Sequence, residues 1–238
     1  MRKPAAARPS AGTSKPEAAK KLRLPGRPTT AAKVDARGRI LDAAIALFAA
    51  RGIAATPLRA IAQATGVTPA LLHYYFTSKD SLVDTLLAER IAPFVALSAA
   101  PLLAPWPSPR ATLRRFLEAH MRNLAAHAWM PRLMVREVLS EGGSLRERVA
   151  AQFSGALAQK IVALIADAQR KHEIRADLDA RLIGLSMVSL AVFPFAAAPI
   201  WRGVLKPAAH ELNAEALIAH TLALFDSALE NKHAKPQR

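Results

Sequence analysis

The chain has no cysteine and few aromatic residues. None of its 238 residues is Cys, and Phe, Trp and Tyr together make up 5%. The lack of cysteine excludes disulfides, thiol nucleophiles and Cys-ligated zinc. The GxSxG, HExxH and glycine-rich phosphate-loop motifs are absent as well, so the common hydrolase, metalloprotease and nucleotide-binding signatures are missing. We therefore expect a protein that is not an enzyme and that has no metal and no cofactor.

Acidic residues are scarce, but the resulting positive charge is concentrated at the ends of the chain. There are 33 Lys and Arg against 18 Asp and Glu, a net charge of +15. Residues 1–33 hold nine basic residues, one acidic residue and five prolines, and residues 231–238 hold three basic residues and no acidic one. We predict a disordered basic tail at each end. The N-terminal tail is either solvated or adds non-specific phosphate contacts to a DNA-binding body.

One long uncharged run raises the question of a membrane segment. Leu182 to Trp201 has no charged residue and is long enough, at ~1.5 Å per residue, to cross a bilayer. Pro194 and Pro199 would break a helix within this run. We therefore predict a soluble helix that is buried on both sides. The N-terminus lacks the apolar core of a secretion signal, so a cytoplasmic protein is expected.

The hydrophobic periodicity is helical throughout the body of the chain. Ile40, Ala44, Leu47 and Phe48 lie on one face of a helix that ends before Gly52. Alanine-rich composition without alternating β-branched runs also favours helix. The fold class is therefore all-α, with about nine helices. After the first, they are predicted at about 57–64, 69–76, 79–97, 109–126, 130–141, 146–172, 178–198 and 211–230.

Three helix-capping signals predict a compact N-terminal unit of short helices. Thr56 before Pro57 and Thr68 before Pro69 each read as an N-cap followed by proline in the first turn, and Ser78 is a further cap. Two short helices joined by a tight turn form a helix-turn-helix. The positions that this motif restricts hold small, flexible or apolar residues at the required spacing: Ile61, Ala62, Gly66, Val67 and Leu72.

These segments resemble the DNA-binding domain of the TetR/AcrR family of transcriptional regulators. The resemblance is carried by "ILDAAIALFAARG", "TPLRAIAQATGV" and "TPALLHYYFTSKDSL", which run from about Ile40 to Leu87. It implies a three-helix DNA-binding domain over residues 34–80 and a larger helical domain for ligand binding and dimerisation over residues 81–230. In that family the third helix enters the major groove of the operator.

The resemblance also implies which residues contact DNA. Thr56 and Thr68 correspond to hydroxyl caps at helix N-termini that face phosphates, and Lys79 corresponds to a lysine that binds phosphate. His73 stands where a tyrosine is usual in that family, a departure that keeps a hydrogen-bond donor on a shorter side chain. Phe76 and part of Tyr75 are assigned to packing. The full predicted set is Thr56, Arg59, Thr68, Pro69, Ala70, Leu71, His73, Tyr74 and Lys79.

The C-terminal part shows little resemblance at the level of motifs, and its ligand site is inferred from composition. Aromatic, Met and polar residues on the predicted helices could form an apolar pocket with a few convergent polar groups, although plain core packing is the simpler reading for each of them. The candidates are Phe116, His120, Trp129, Met134, Arg136, Phe153 and Met187.

Two functions remain open from the sequence. The first is a dimeric, DNA-binding transcriptional regulator, a repressor that a small-molecule effector releases from a double-stranded DNA operator. Its partners would be the operator, the effector and a second copy of the chain, without a membrane. The second is an architectural protein that binds DNA through its basic tail without sequence preference. Competition by random DNA distinguishes them, because only the first function discriminates between sequences.

Overall fold

The computed structural model describes residues 30–206 and 211–230, and within these ranges the side chains of residues 36–152, 155–206 and 211–230. Every regular element in the part described is helical, as the periodicity predicts. The α-helices are α1 (Thr30–Arg51), α2 (Leu58–Thr65), α3 (Pro69–Tyr75), α4 (Lys79–Leu86), α5 (Ala92–Ala99), α6 (Pro109–Ala126), α7 (Trp129–Leu133), α8 (Arg146–Val149), α9 (Gly155–Arg170), α10 (Ala180–Ala196), α11 (Ala198–Leu205) and α12 (Ala214–Ala228).

The first helix begins earlier than the sequence suggested. Residues 1–33 were predicted to be a disordered tail, but α1 starts at Thr30. The correction has a simple cause, since residues 31–33 are Ala, Ala and Lys, all good helix formers, and no proline follows Pro28 before the helix. The rest of the predicted tail and the tail at 231–238 lie outside the described residues.

Helices α1 to α3 pack as the predicted helix-turn-helix unit. Ile61, Ala62 and Leu72 are buried in one core with Phe48 of α1. Gly66 is the C-cap of α2, with φ 68° and ψ 20°. Its backbone N–H donates to the carbonyls of Ala62 and Gln63. This left-handed backbone is accessible to glycine at little cost.

A nearly continuous helical segment leads from α4 to α5 through one wide turn. The turn Leu87–Ile91 is π-helical, and the N–H of Ala92 donates to the carbonyl of Leu87. Pro93 explains the distortion because it has no N–H for the carbonyl of Glu89, four residues earlier. The guanidinium of Arg90 donates to that carbonyl instead, over 3.1 Å.

The larger domain is built around α6. This helix contacts α5, α9, α10 and α12, and its inner face is fully buried at Leu113, Leu117, Met121 and Leu124. Arg114 ties α6 to the end of α12 through a 3.0 Å ion pair with Asp226. A second π-helical turn, Met134–Leu139, follows α7.

The uncharged run forms two helices that meet at a sharp bend. Helix α10 continues past Pro194 and stops at Ala197, and α11, which the periodicity did not predict, begins there with Pro199 in its first turn. The indole N–H of Trp201 donates to the carbonyl of Pro194 over 2.7 Å and closes the bend.

Within the single chain, the prediction that this run is buried on both sides holds for one side only. One side of α10 packs in the core through Ile183, Met187 and Ala191, whereas Leu185 and Phe193 are 64% and 69% exposed. Because apolar residues occupy both faces, a pattern without charges could not show which face meets water.

Among the described residues, no single helix is both long and apolar enough to span a membrane. Two sharply bent helix pairs reach the required length and composition only when their halves are combined: Arg146–Gln152 with Gly155–Arg170, and Ala180–Ala196 with Ala198–Leu205.

Candidate DNA-binding surface and ligand cavity

The three adjacent rings on α3 divide between surface and core. His73 is exposed and Tyr74 is 69% exposed, whereas Tyr75 is half-buried against the core and Phe76 is buried. The ring of Tyr74 lies edge-on to that of Tyr75, with 5.3 Å between the centroids. The predicted division of these residues between packing and surface is therefore confirmed. The contacts of His73 and Tyr74 with DNA stay predictions.

The start of α3 is formed by Thr68. Its side-chain Oγ1 accepts a hydrogen bond from the backbone N–H of Leu71 over 3.2 Å, which confirms the predicted N-cap. Thr68, Pro69 and Ala70 are exposed and Leu71 is half-buried. The first turn of α3 is thus a small, mostly apolar surface, suited to contact with thymine methyl groups and not to bidentate hydrogen bonds with bases.

Thr56 was predicted to contact DNA, and the structure corrects this. The residue is fully buried, and its hydroxyl donates to the carbonyl of Gly52 over 2.6 Å. Helix α2 starts one residue later than predicted, with Pro57 as its N-cap and no side-chain cap. The hydroxyl points inward because it satisfies a carbonyl left over at the end of α1, so it offers nothing to a phosphate.

Lys79 has a structural role that sequence reasoning missed. Its Nζ donates to the carbonyl of Ile53 over 2.8 Å and to that of Ala54 over 3.3 Å, and so joins the start of α4 to the loop after α1. Ser78 caps α4 by a reciprocal pair of hydrogen bonds with Ser81. Arg59, the other predicted cation, is exposed on α2.

A buried carboxylate connects the loop after α1 to the larger domain. Glu137 is 4% exposed, and its Oε1 accepts from the N–H of Ile53 over 2.9 Å. Its Oε2 accepts from the N–H of Ser144 over 3.1 Å. Ile53 is thus held at its N–H by Glu137 and at its carbonyl by Lys79. Glu137 lies in the π-helical turn after α7, so its hydrogen bond with Ile53 joins the two domains directly.

The larger domain contains a cavity of about 270 Å³ that opens to the surface. Its wall is formed by α5 and the end of the turn before it, α6, the segment from α7 to the following π-helical turn, α8 with the residue before it, α9 and one residue of α10. The lining residues are Ile91, Phe94, Val95, Ser98, Phe116, His120, Met130, Leu133, Met134, Val138, Leu145, Val149, Leu157, Ala158, Ile161 and Val188. The size is near the lower end of the range for small-molecule sites, about 300–1,000 Å³.

The imidazole of His120 is a polar group in the cavity wall. It stacks on Phe116 with an interplanar angle of 7° and lies edge-on to Phe94. Its Nδ1 is buried without a hydrogen-bond partner. Burial lowers the pKa of the imidazole to about 4, because the charged form is poorly solvated there. At neutral pH the ring is therefore uncharged, with one nitrogen acting as donor and the other as acceptor.

The predicted ligand residues lie only in part at this cavity. Phe116, His120 and Met134 line it. Arg136 is exposed, and its side chain lies beside Gly52. Met187 is buried in the core and does not line the cavity. Trp129 packs on Phe94 and His127 behind the wall.

These corrections follow from helix geometry. Arg136 faces outward because its π-helical turn directs Glu137 inward instead, and the side chain of Phe153 lies outside the described residues. Sequence reasoning missed the wall formed by α5. Phe94 and Ser98 are spaced i, i+4 on that helix, a signal of a shared face that was present in the sequence.

An exposed helix-turn-helix joined by α4 and α5 to a helical domain with an apolar cavity defines the class of DNA-binding transcriptional regulators. Comparison with known proteins agrees. Residues 40–86 match the family model described as bacterial regulatory proteins, tetR family. Residues 109–224 match that of the tetracyclin repressor-like C-terminal domain. The chain belongs to the TetR family, whose members are transcriptional regulators.

Similarity to individual relatives is high over a short stretch and lower over longer ones. The HTH-type transcriptional repressor KstR2 of Rhodococcus jostii is 45% identical over 58 residues, which cover 24% of this chain and 28% of KstR2. The regulator UidR of Escherichia coli is 23% identical over 157 residues, 65% of this chain and 76% of UidR. The match to KstR2 thus covers less than a third of that protein.

Solved structures share the fold of both domains. The ketosteroid transcriptional regulator KstR2 of Mycobacterium tuberculosis has a TM-score of 0.65 at 22% identity, covering 82% of this chain and 94% of that one. The regulator FadR of Bacillus subtilis, in complex with stearoyl-CoA, has a TM-score of 0.61 at 18% identity, covering 81% and 99%. These likenesses concern the fold.

Proposed function

We propose that the chain is a dimeric repressor that leaves its operator when a small molecule fills the cavity in the larger domain. The observation that carries the proposal is the helical segment from Lys79 to Ala99. At one end Val83 and Leu86 pack in the core of the DNA-binding domain, and at the other end Phe94 and Ser98 line the cavity. A molecule that moves α5 would therefore move α4, and with it the helix-turn-helix.

Dimerisation is supported by the exposed apolar surface of α10 and α11. Its large residues are Leu182, Leu185, Phe193, Ile200 and Val204, all more than 60% exposed. Exposed apolar surface that is contiguous on neighbouring helices is typical of interaction sites. The operator contacts of one helix-turn-helix are few, so a second copy of the chain would supply the second half-site that specific binding needs.

Repression, and its control by a small molecule, are supported by the names and ligands of similar proteins. KstR2 is described as a repressor, and FadR of Bacillus subtilis was solved with stearoyl-CoA. For release to occur, the effector must bind the DNA-free conformation more tightly than the DNA-bound one, typically by ~1 to 3 kcal/mol.

Binding of the purified protein to the DNA flanking its own gene tests the proposal. Tyr74→Ala should lower the affinity by at least about tenfold, because the ring of Tyr74 is 69% exposed on α3 and is proposed to contact DNA. The variant should remain folded, with the thermal unfolding temperature lowered only slightly by loss of the ring contact with Tyr75. Lys160→Ala, which removes an exposed cation on α9, is the control and should bind as the wild type does.

Two results would refute the assignment of α3. One is wild-type affinity in Tyr74→Ala. The other is equal loss in Lys160→Ala, which would mean that the net charge, and not a positioned residue, determines the affinity.

A further inference from the structure

The chemistry of the cavity wall restricts the effector, an inference that rests on the proposed function. Among the described residues of the lining, none carries a charge, and all except Ser98 and His120 are apolar. A carboxylate or phosphate inside this space would lose its hydration without gaining a cationic partner, which is costly. The group that enters the cavity must therefore be neutral and mostly apolar.

Ser98 has part of its hydrogen-bonding capacity filled by the protein. It is 2% exposed, and its Oγ accepts from Nδ2 of Asn123 over 2.8 Å. The same amide nitrogen donates to the carbonyl of Phe94 over 2.9 Å. This network connects α5 and α6 and fixes the Ser98 side chain in the wall.

His120 differs because its Nδ1 has no partner. A buried polar atom without a hydrogen bond costs about 1–3 kcal/mol. A bound molecule that forms a hydrogen bond with the His120 ring, which lines the cavity, therefore gains affinity. The neutral imidazole offers one donor and one acceptor, and which nitrogen has the proton is not fixed by the surrounding protein. A hydroxyl group can pair with either nitrogen, since it both donates and accepts.

We propose that the effector is a neutral, largely apolar molecule with a hydroxyl group, and that this hydroxyl pairs with the imidazole of His120. The aromatic faces of Phe94 and Phe116 lie next to that imidazole and provide apolar contact for the body of the molecule. Free carboxylates of the same shape are excluded by the uncharged wall.

Calorimetric titration of the full-length protein with matched probes at pH 7.5 tests this proposal. The probes are 2-naphthol, naphthalene and 2-naphthoate, with decan-1-ol and decanoate as a flexible second pair. The alcohols should bind about tenfold or more tightly than naphthalene and the two carboxylates, because one buried hydrogen bond is at stake.

Two matched variants assign the effect to His120. His120→Phe keeps an aromatic ring on Phe116 and removes the nitrogens, so the preference for 2-naphthol over naphthalene should disappear. His127→Phe is the control. His127 lies edge-on to the same Phe94 ring, outside the lining, and its Nδ1 already has the carbonyl of Asn123 as its partner over 2.9 Å. This variant should retain the preference.

The proposal is overturned if the carboxylates bind as tightly as the alcohols, if His120→Phe retains the preference, or if neither alcohol binds. Affinity for DNA in the absence of any probe is measured in parallel. Intact DNA binding together with any of these results would reject the hydroxyl-bearing effector and leave the DNA-binding role standing, whereas lost DNA binding would reject the proposed function itself.

Discussion

Gly66 has a backbone conformation that fixes its residue type. Its φ of 68° is left-handed, and a Cβ built there would meet no atom within 4 Å. The requirement for glycine is therefore conformational and not steric. It lies at the turn that sets α3 against α2, so the geometry of the DNA-binding unit depends on this residue.

Substitution of Gly66 by alanine should lower the free energy of unfolding by about 1–2 kcal/mol, because left-handed backbone is strained for alanine. Gly155→Ala is the matched control. Gly155 also has open space around its built Cβ, but its φ and ψ of −64° and −59° are helical, so alanine should stabilise by about 0.5–1 kcal/mol. Chemical denaturation measures both, and equal effects of the two changes would contradict the conformational explanation.

His120 should make stability depend on pH. Its pKa is about 4 in the folded protein, against 6.5 for an unperturbed histidine, so the unfolded chain takes up a proton first as the pH falls. The free energy of unfolding should therefore drop by up to about 3 kcal/mol between pH 6.5 and 4, relative to His120→Phe. Above pH 6.5 this contribution should be constant. Parallel pH profiles of the two proteins would refute this.

At the scale of single residues, the sequence predicts exposure well where a helix is regular. The outward His73 and Tyr74 and the inward Phe76 agree with what the resemblance to the TetR/AcrR family implies. Thr56 was misassigned because a Thr-Pro sequence permits two different hydrogen bonds. The hydroxyl can cap the next helix, or it can donate to a carbonyl of the preceding turn. The carbonyl acceptors of Lys79 belong to residues 25 and 26 positions earlier, which no local pattern shows.

At the scale of elements, the joint between the domains depends on one loop segment held by two ionic groups. The Glu137 carboxylate and the Lys79 ammonium bond to the two backbone polar groups of Ile53. Hydrogen bonds that involve charged groups contribute about 1.5–3 kcal/mol. The position of the loop, and thus of α2, is coupled through Glu137 to the turn that follows α7 and through Lys79 to the start of α4.

Glu137→Ala should lower the free energy of unfolding by about 2–3 kcal/mol, because it leaves the buried N–H of Ile53 without an acceptor. Glu141→Ala, which removes an exposed carboxylate four residues further along the chain, should change it by less than about 0.5 kcal/mol. Denaturant titration compares the two. A loss confined to Glu141→Ala, or absent from both, would contradict the role of Glu137 as a buried acceptor.

Lys79→Met should also destabilise, by about 1–2 kcal/mol. Its role in DNA binding therefore has to be measured on protein shown to be folded. Lys160→Met, on the exposed face of α9, is the control for loss of one positive charge. If Lys79→Met unfolds at the same denaturant concentration as wild type, the two carbonyl contacts contribute nothing to stability.

The positions of most elements could be predicted from the sequence, because caps and periodicity mark helix ends locally. The exceptions have physical causes. Pro194 does not end α10, because the helix continues to Ala196 and the chain bends after it. The indole N–H of Trp201 donates to the carbonyl of Pro194 across this bend. The π-helical turn at Leu87–Ile91 replaces what periodicity predicts as uninterrupted helix, because Pro93 and Arg90 change the bonding of one carbonyl.

At the scale of the whole molecule, the proposed dimer is argued from the exposed apolar surface of α10 and α11. Phe193→Asp should dissociate the dimer, because it places a charge at the centre of that surface. Leu103→Asp, which changes an equally exposed apolar residue outside α10 and α11, should leave the mass unchanged. Light scattering after gel filtration measures both. A dimer in Phe193→Asp would place the interface elsewhere.

Selection of bound sequences from random double-stranded DNA tests the central claim most directly, since it asks whether a positioned α3 reads sequence as part of a dimer. The wild-type protein should enrich a two-fold symmetric site whose half-sites are separated by about one helical turn or a multiple of it. Tyr74→Ala should enrich nothing. Enrichment of no sequence by the wild type, or of the same site by Tyr74→Ala, would contradict the account.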